Sequence, residues 1–223
     1  MTIDLQGVLI FFHVLLFGYW LGSDLGVFFC DSQLTRADLS LDERLRVRKI
    51  RGKIDIAPRT CVALILPLGF TMAVRWGSPV DGWWLVLIWA VCLAWLAMLV
   101  GERLVAGKPS GPLVRKINRL LWYLAAAVTL ALGAYSLATG APFSDAWIST
   151  KVLLYGFMIL SAVWITAAAD RWPPIFAMVR AGGDQAVEGE RLMKKNRLNC
   201  GSAAGTLWVI VLLIAFVGAT KPF

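Results

Sequence analysis

Six long apolar runs, separated by polar segments, constrain this chain more than any other feature. They cover roughly residues 5–29, 57–74, 83–100, 120–138, 147–169 and 201–219, each of the length that crosses a bilayer as a helix. Hydrophobic residues make up 59% of the 223 and charged residues only 16%, outside the balance of a soluble domain. The fold class expected is therefore all-α: a polytopic membrane protein, one transmembrane domain over residues 1–223, built as a six-helix bundle.

The charges decide orientation. Lys and Arg total 22 against 14 Asp and Glu, a net charge of +8, which in one patch would suggest nucleic acid. Instead they alternate by loop. Residues 31–56 carry Arg36, Arg44, Arg46, Arg48, Lys49, Arg51 and Lys53, with Arg59 just beyond, whereas the next loop holds only Arg75. Residues 101–119 carry five more, the following loop none, and residues 170–200 a further six. Basic loops face the cytoplasm, so the pattern places these three loops inside and both termini outside, in a bacterial inner membrane. No basic stretch is interleaved with stacking aromatics, which argues against a nucleic-acid partner. No basic segment precedes the first run, so it is expected to be a retained span and not a cleaved signal.

The loops carry further expectations. Ser40-Leu41-Asp42-Glu43 has the form of a capping box, and Leu41, Leu45 and Ile50 recur at near-helical spacing, so an amphipathic helix is expected there, lying on anionic lipid or docking a partner. Pro67 should kink the second span and free a carbonyl in the bundle. Residues 170–200, with Arg171-Trp172-Pro173-Pro174 and Gly182-Gly183, read as short broken pieces, and residues 107–112 as a flexible connection. Trp76, Trp83, Trp84 and Trp147 fall at the outer boundary, where indoles anchor helices at headgroup level. Cys30, Cys61 and Cys200 map to the cytoplasmic end and Cys92 to mid-span; they read as small buried hydrophobes, with a three-thiolate metal site as the alternative.

A few polar side chains interrupt the apolar runs. His13, the only histidine, lies in the first. At 100° per residue Trp20 falls ~20° short of it and Asp24 ~20° past it, so the three form one stripe, while Gly18, Gly22 and Gly26 occupy the opposite face. That glycine face is expected to let a neighbouring helix approach closely. Lys151 begins the fifth run from the outer side, at a depth of roughly 6 to 12 Å similar to that of His13, so the two can meet. Each has a structural reading beside the functional one. His13 is a neutral imidazole bonded across helices or an axial ligand to haem iron. Lys151 snorkels to headgroups or stays in a site. Asp24 pairs with a first-loop arginine or relays protons. Met72, Met98 and Met158 lie on three different spans and read as packing.

His13-x6-Trp20-x-Gly22 resembles the opening of the CopD-like membrane superfamily, which includes the HemJ-type protoporphyrinogen oxidases. Trp147-x3-Lys151 ahead of an apolar run is similar to the tryptophan and lysine helix of that group, and Lys221-Pro222-Phe223 resembles the HemJ-type ending. The resemblance covers spans one, five and six. It implies a helical bundle binding haem b, with His13 as cofactor and metal ligand and Lys151 as a catalytic residue, and oxidation of protoporphyrinogen IX; the stripe on the first run adds Trp20 beside the cofactor and Asp24 as a catalytic proton carrier. HemJ-type chains have about four spans by the same resemblance, so spans three and four are additional here, and Gly22-Ser23-Asp24-Leu25-Gly26 departs from the oxidase pattern.

Three function classes follow. The first is a haem redox protein, an oxidoreductase acting on a tetrapyrrole or quinone-linked substrate. The second is a transporter of the CopD-like type, although copper would call for clustered sulfur ligands. The third is a non-catalytic subunit that packs through Gly18, Gly22, Gly26 and Gly201-Ser202-Ala203-Ala204-Gly205 in a homo-oligomer or a larger membrane complex.

Overall fold

A computed structural model of the chain describes residues 4–105 and 108–222; Gly107 and Phe223 lie outside this description. Among the described residues the chain is all helix and turn: α1 (Leu5–Gln33), α2 (Leu41–Ile54), α3 (Ile56–Ala73) continued by a 3-10 turn (Val74–Trp76), α4 (Gly82–Leu104), α5 (Gly111–Thr139), α6 (Ala146–Ala169), α7 (Trp172–Ala181) and α8 (Gly183–Thr220). The six helices long and apolar enough to cross a membrane are α1, α3, α4, α5, α6 and α8. They close a ring, each span packing on the next in chain order and α8 returning to α1. Packing is dense within α1–α3–α4 and within α5–α6–α8, and thinner at the α4/α5 and α8/α1 seams.

All six spans contribute to one core: Trp20 from α1, Val62 and Ala63 from α3, Trp95 from α4, Trp122 from α5, Met158 and Ile159 from α6, Leu207 from α8. Trp95 and Trp122 meet edge to face at 4.9 Å, a favoured aromatic geometry. Across this core Tyr155 Oη of α6 donates to the Val62 carbonyl of α3 at 2.7 Å. Pro67 lies inside α3 without interrupting it. Lacking an N–H, it leaves the Ala63 carbonyl without its usual helical donor, and the side-chain donor from Tyr155 arrives one residue earlier.

The basic loops are built more firmly than expected. α2 has a full capping box, with Ser40 Oγ accepting from Glu43 N and Glu43 accepting from Ser40 N at 2.8 Å. Leu41, Leu45 and Val47 pack against a cluster that includes Trp172, Ile175 and Phe176 of α7 and Met193 of α8, so this face of the helix docks on its own chain. Ile50 is exposed, and Val47 takes the inward place expected for it. Two ion pairs fix α2: Arg44 to Glu190 at 2.6 Å and Arg51 to Asp31 at 2.5 Å. Residues 170–200 are not broken pieces. α7 turns at Gly182 and Gly183, both at positive φ, into α8, one 38-residue helix that extends the last span roughly 27 Å beyond its apolar run.

Candidate functional site

His13 sits on α1 near the face that carries both chain ends, half-buried, with its ring on the backbone of α3. A Cβ at Gly69 would lie 3.3 Å from His13 Cε1, so the glycine gives the imidazole its room. His13 Nδ1 is buried, and among the described residues it has no hydrogen-bond partner. The expected cross-helix bond that would make the histidine purely structural is therefore not formed through this nitrogen.

Lys151, on α6, comes to the same end. Its Nζ lies against α8, 2.7 Å from where a Cβ on Gly218 would stand, and 6.0 Å from the Trp147 ring centre. It is tucked under α8 and half-buried. Lys221, just past α8, sets its Nζ 4.0 Å from the Trp76 ring centre and 5.4 Å from that of Trp147. The two indoles meet edge to face at 5.8 Å. Trp83 and Trp84 are 78% and 64% exposed and suit the anchoring expected of them, whereas Trp76 and Trp147 face the two lysines.

The stripe on α1 divides. Trp20 is only 3% exposed and belongs to the shared core. Asp24, one turn further, is turned toward Trp20 and Trp208. Its Oδ2 and the Trp208 Nε1 are both buried without a hydrogen-bond partner among the described residues. Trp20 thus serves the Asp24 end of the stripe and not the His13 end. The arginines expected for Asp24 are engaged elsewhere: Arg51 forks onto Asp31 at 2.5 and 3.2 Å, while Arg59 and Arg103 share Asp55 at 2.8 and 2.6 Å. Asp31 was legible on the same stripe, five helical turns beyond His13. Tyr155 carries no such signal, since an aromatic in an apolar run reads as packing.

The glycine face of α1 receives no neighbour at two of its three positions. Gly18 and Gly22 have nothing within 4 Å of an added Cβ, and only Gly26 is approached, by Ile54 at 3.4 Å. The close helix contact expected there is absent because α3 and α8 pack on the other face. Of the methionines, Met158 is fully buried in the core. Cys61, Cys92 and Cys200 are buried free thiols and Cys30 is half-buried; among the described residues no three His, Cys, Asp or Glu side chains gather as a metal site.

Cavities open elsewhere among the described residues. A 40 Å³ pocket at the basic face is lined by Arg59, Glu102, Arg115, Asn118 and Arg119 among others, and a 430 Å³ recess beside it by Lys108, Lys116 and the same Arg115 and Arg119. A 280 Å³ groove lies between α6 and α8, under Phe157 and Trp164. None is lined by His13, Lys151 or Asp24. No protein-family model, curated protein or solved structure matches the chain.

Proposed function

We propose that the chain is a haem-b-binding redox protein of the bacterial inner membrane, with its site between α1, α3, α6 and α8 near the outer face and its basic loops in the cytoplasm. The observation that carries this reading is that spans 138 positions apart in sequence (151 − 13) bring to one end of the bundle a histidine whose buried Nδ1 has no partner among the described residues and a lysine tucked against α8. A buried polar group left unpaired is costly; a ligand at the imidazole offsets that cost.

The residues fit the group in kind. His13 supplies a nitrogen donor of the kind that holds haem iron; its ring is half-buried, with Nδ1 itself buried. Lys151 supplies positive charge for a carboxylate substituent. Asp24 offers a buried carboxyl whose Oδ2 has no hydrogen-bond partner among the described residues, a group that can take up or release a proton. Haem, when bound, supplies one-electron chemistry; the chain supplies position and electrostatics. The resemblance of His13-x6-Trp20-x-Gly22 and Trp147-x3-Lys151 to the HemJ-type pattern points to a tetrapyrrole as the substrate class, with a quinone-linked acceptor as the alternative.

An absorption spectrum of the purified protein tests the reading. A Soret band is expected, lost in His13→Ala and weakened in Lys151→Gln. A folded, monodisperse protein without that band after expression with ample haem would overturn the proposal. The open Gly18 and Gly22 positions on α1 favour a second reading, a subunit that packs on another membrane chain; a Gly22→Ile variant that leaves the size of the native complex unchanged would sink it.

A further inference from the structure

We propose that Lys151 and Lys221, held over Trp147 and Trp76, form a two-ammonium clamp for the acidic group of an amphiphilic ligand at the outer end of the bundle. The proposal takes its place in the bundle from the haem reading but does not require that His13 hold iron.

Two like charges share one indole. Lys151 Nζ is 6.0 Å and Lys221 Nζ 5.4 Å from the centre of Trp147, and Lys221 is 4.0 Å from Trp76. Each cation–π contact is favourable, but the two ammonium groups repel, and no ion pair among the described residues includes either of them. Of the acidic side chains described at this end, Asp4 is engaged with Arg75, and Asp81 and Asp145, which precede α4 and α6, form no ion pair with either lysine. In a site of reduced dielectric an anion shared by two ammonium groups gains from both and relieves their repulsion.

The backbone is arranged for this. Lys221 adopts φ 44°, ψ 59°, a left-handed conformation uncommon for a residue with a side chain, and its N–H bonds back to Val217 O at 2.9 Å. That turn folds the chain end over the two indoles. Gly218 completes the arrangement from below, since a Cβ there would stand 2.7 Å from Lys151 Nζ and 3.3 Å from Cε. Trp147 and Lys151 are one turn apart, so the clamp spans about 6 Å of depth, from headgroup level inward to His13. A ligand with its acid at the interface and its apolar body between helices matches that gradient. A porphyrin carboxylate and a lipid phosphate share this chemistry.

Metal-free protoporphyrin IX and its dimethyl ester, titrated by fluorescence into the full chain in phosphatidylcholine nanodiscs, distinguish the groups recognised. The acid is expected to bind at least tenfold more tightly than the ester. Lys151→Gln and Lys221→Gln should each remove most of that preference while leaving ester binding unchanged, and Gly218→Ala should weaken it by moving Nζ without changing charge. Lys221 is exposed at the chain end, so its substitution leaves the bundle intact. His13→Ala should abolish a haem spectrum yet keep the preference for the acid, which separates failure of this site from failure of the haem reading. Displacement of the acid by phosphatidylglycerol but not phosphatidylcholine would assign phosphate as a second occupant; acid binding undisturbed by either lipid would assign carboxylate alone. Equal affinity for acid and ester, or a preference that survives Lys221→Gln, overturns the proposal.

Discussion

Arg51 and Asp31 are the most consequential buried charges outside the candidate site. Both are less than 10% exposed, and the guanidinium meets the carboxylate through two nitrogens at 2.5 and 3.2 Å, joining α2 to the end of α1. Removing one partner strands a buried charge, so Arg51→Ala is expected to lower stability by about 3 kcal/mol. The double variant Arg51→Met, Asp31→Leu should recover most of that loss, because the desolvation cost disappears with the pair. Chemical denaturation of both variants in the same detergent checks this; a double variant as unstable as the single would show that the pair is not the source. At this scale the sequence spoke clearly where a polar residue interrupts an apolar run. His13, Lys151 and Asp24 stand out for that reason, and the structure brings the first two to one end. It spoke poorly where a residue is ordinary in type: Tyr155 and Gly218 owe their importance to what lies across from them, and spacing within one helix contains no information about the facing one. For the same reason the arginines offered to Asp24 are found on other carboxylates, Arg51 on Asp31 and Arg59 on Asp55.

Two glycine-bearing helices behave oppositely. Between α5 and α6 the backbones nearly touch: a Cβ at Gly133 would lie 2.5 Å from Leu153 N, and one at Gly156 2.6 Å from Leu130 Cγ. Backbone cannot yield as a flexible side chain does, so Gly133→Ala is expected to cost at least 1–3 kcal/mol. Gly22→Ala on α1, with open space around it, should be neutral or slightly stabilising; thermal unfolding of the pair measures the contrast, and equal effects would refute the packing argument. The small-residue stripe was visible on α1 and drew attention there, while single glycines at the tightest contact formed no motif. α2 was legible because capping is local. Its Glu43 carboxyl is held below the usual carboxylate range by the Ser40 side chain and then by the Ser40 backbone. A depressed carboxylate contributes stability above its unfolded pKa, and that contribution is lost as pH falls through the folded value. Amide exchange in the first turn of α2, corrected for intrinsic rate, should therefore rise below about pH 4, and Ser40→Ala should produce the rise at neutral pH, at a cost of about 1 kcal/mol. The extent of α8 was not legible, because its first half is apolar only where α7 covers it.

The ring of six spans has a polarity that rests on charge alone, and it determines which membrane face meets the proposed site. Within each three-span half the middle helix is the most buried, α3 in one and α6 in the other, and the two touch through Tyr155 and Val62. An odd number of spans per half inverts the second relative to the first, so the halves cannot both be oriented by the same internal signal. The basic loops supply it three times over: α2 and its flanks, the α4–α5 connection, and α7 with the start of α8 all lie on one face, whereas the opposite face holds Arg75 and the two clamp lysines. Because Lys and Arg retained in short loops set orientation, a reporter active only outside the cytoplasm should work when fused after Thr220 and fail when fused after Ala181. Moving charge tests the cause: neutralising Arg115, Lys116 and Arg119 alone should leave the pattern unchanged, since two other basic loops still hold the bundle. Activity of the Ala181 fusion outside the cytoplasm would invert the molecule, place the Lys151–Lys221 clamp on the cytoplasmic leaflet, and require its acidic ligand to come from that side.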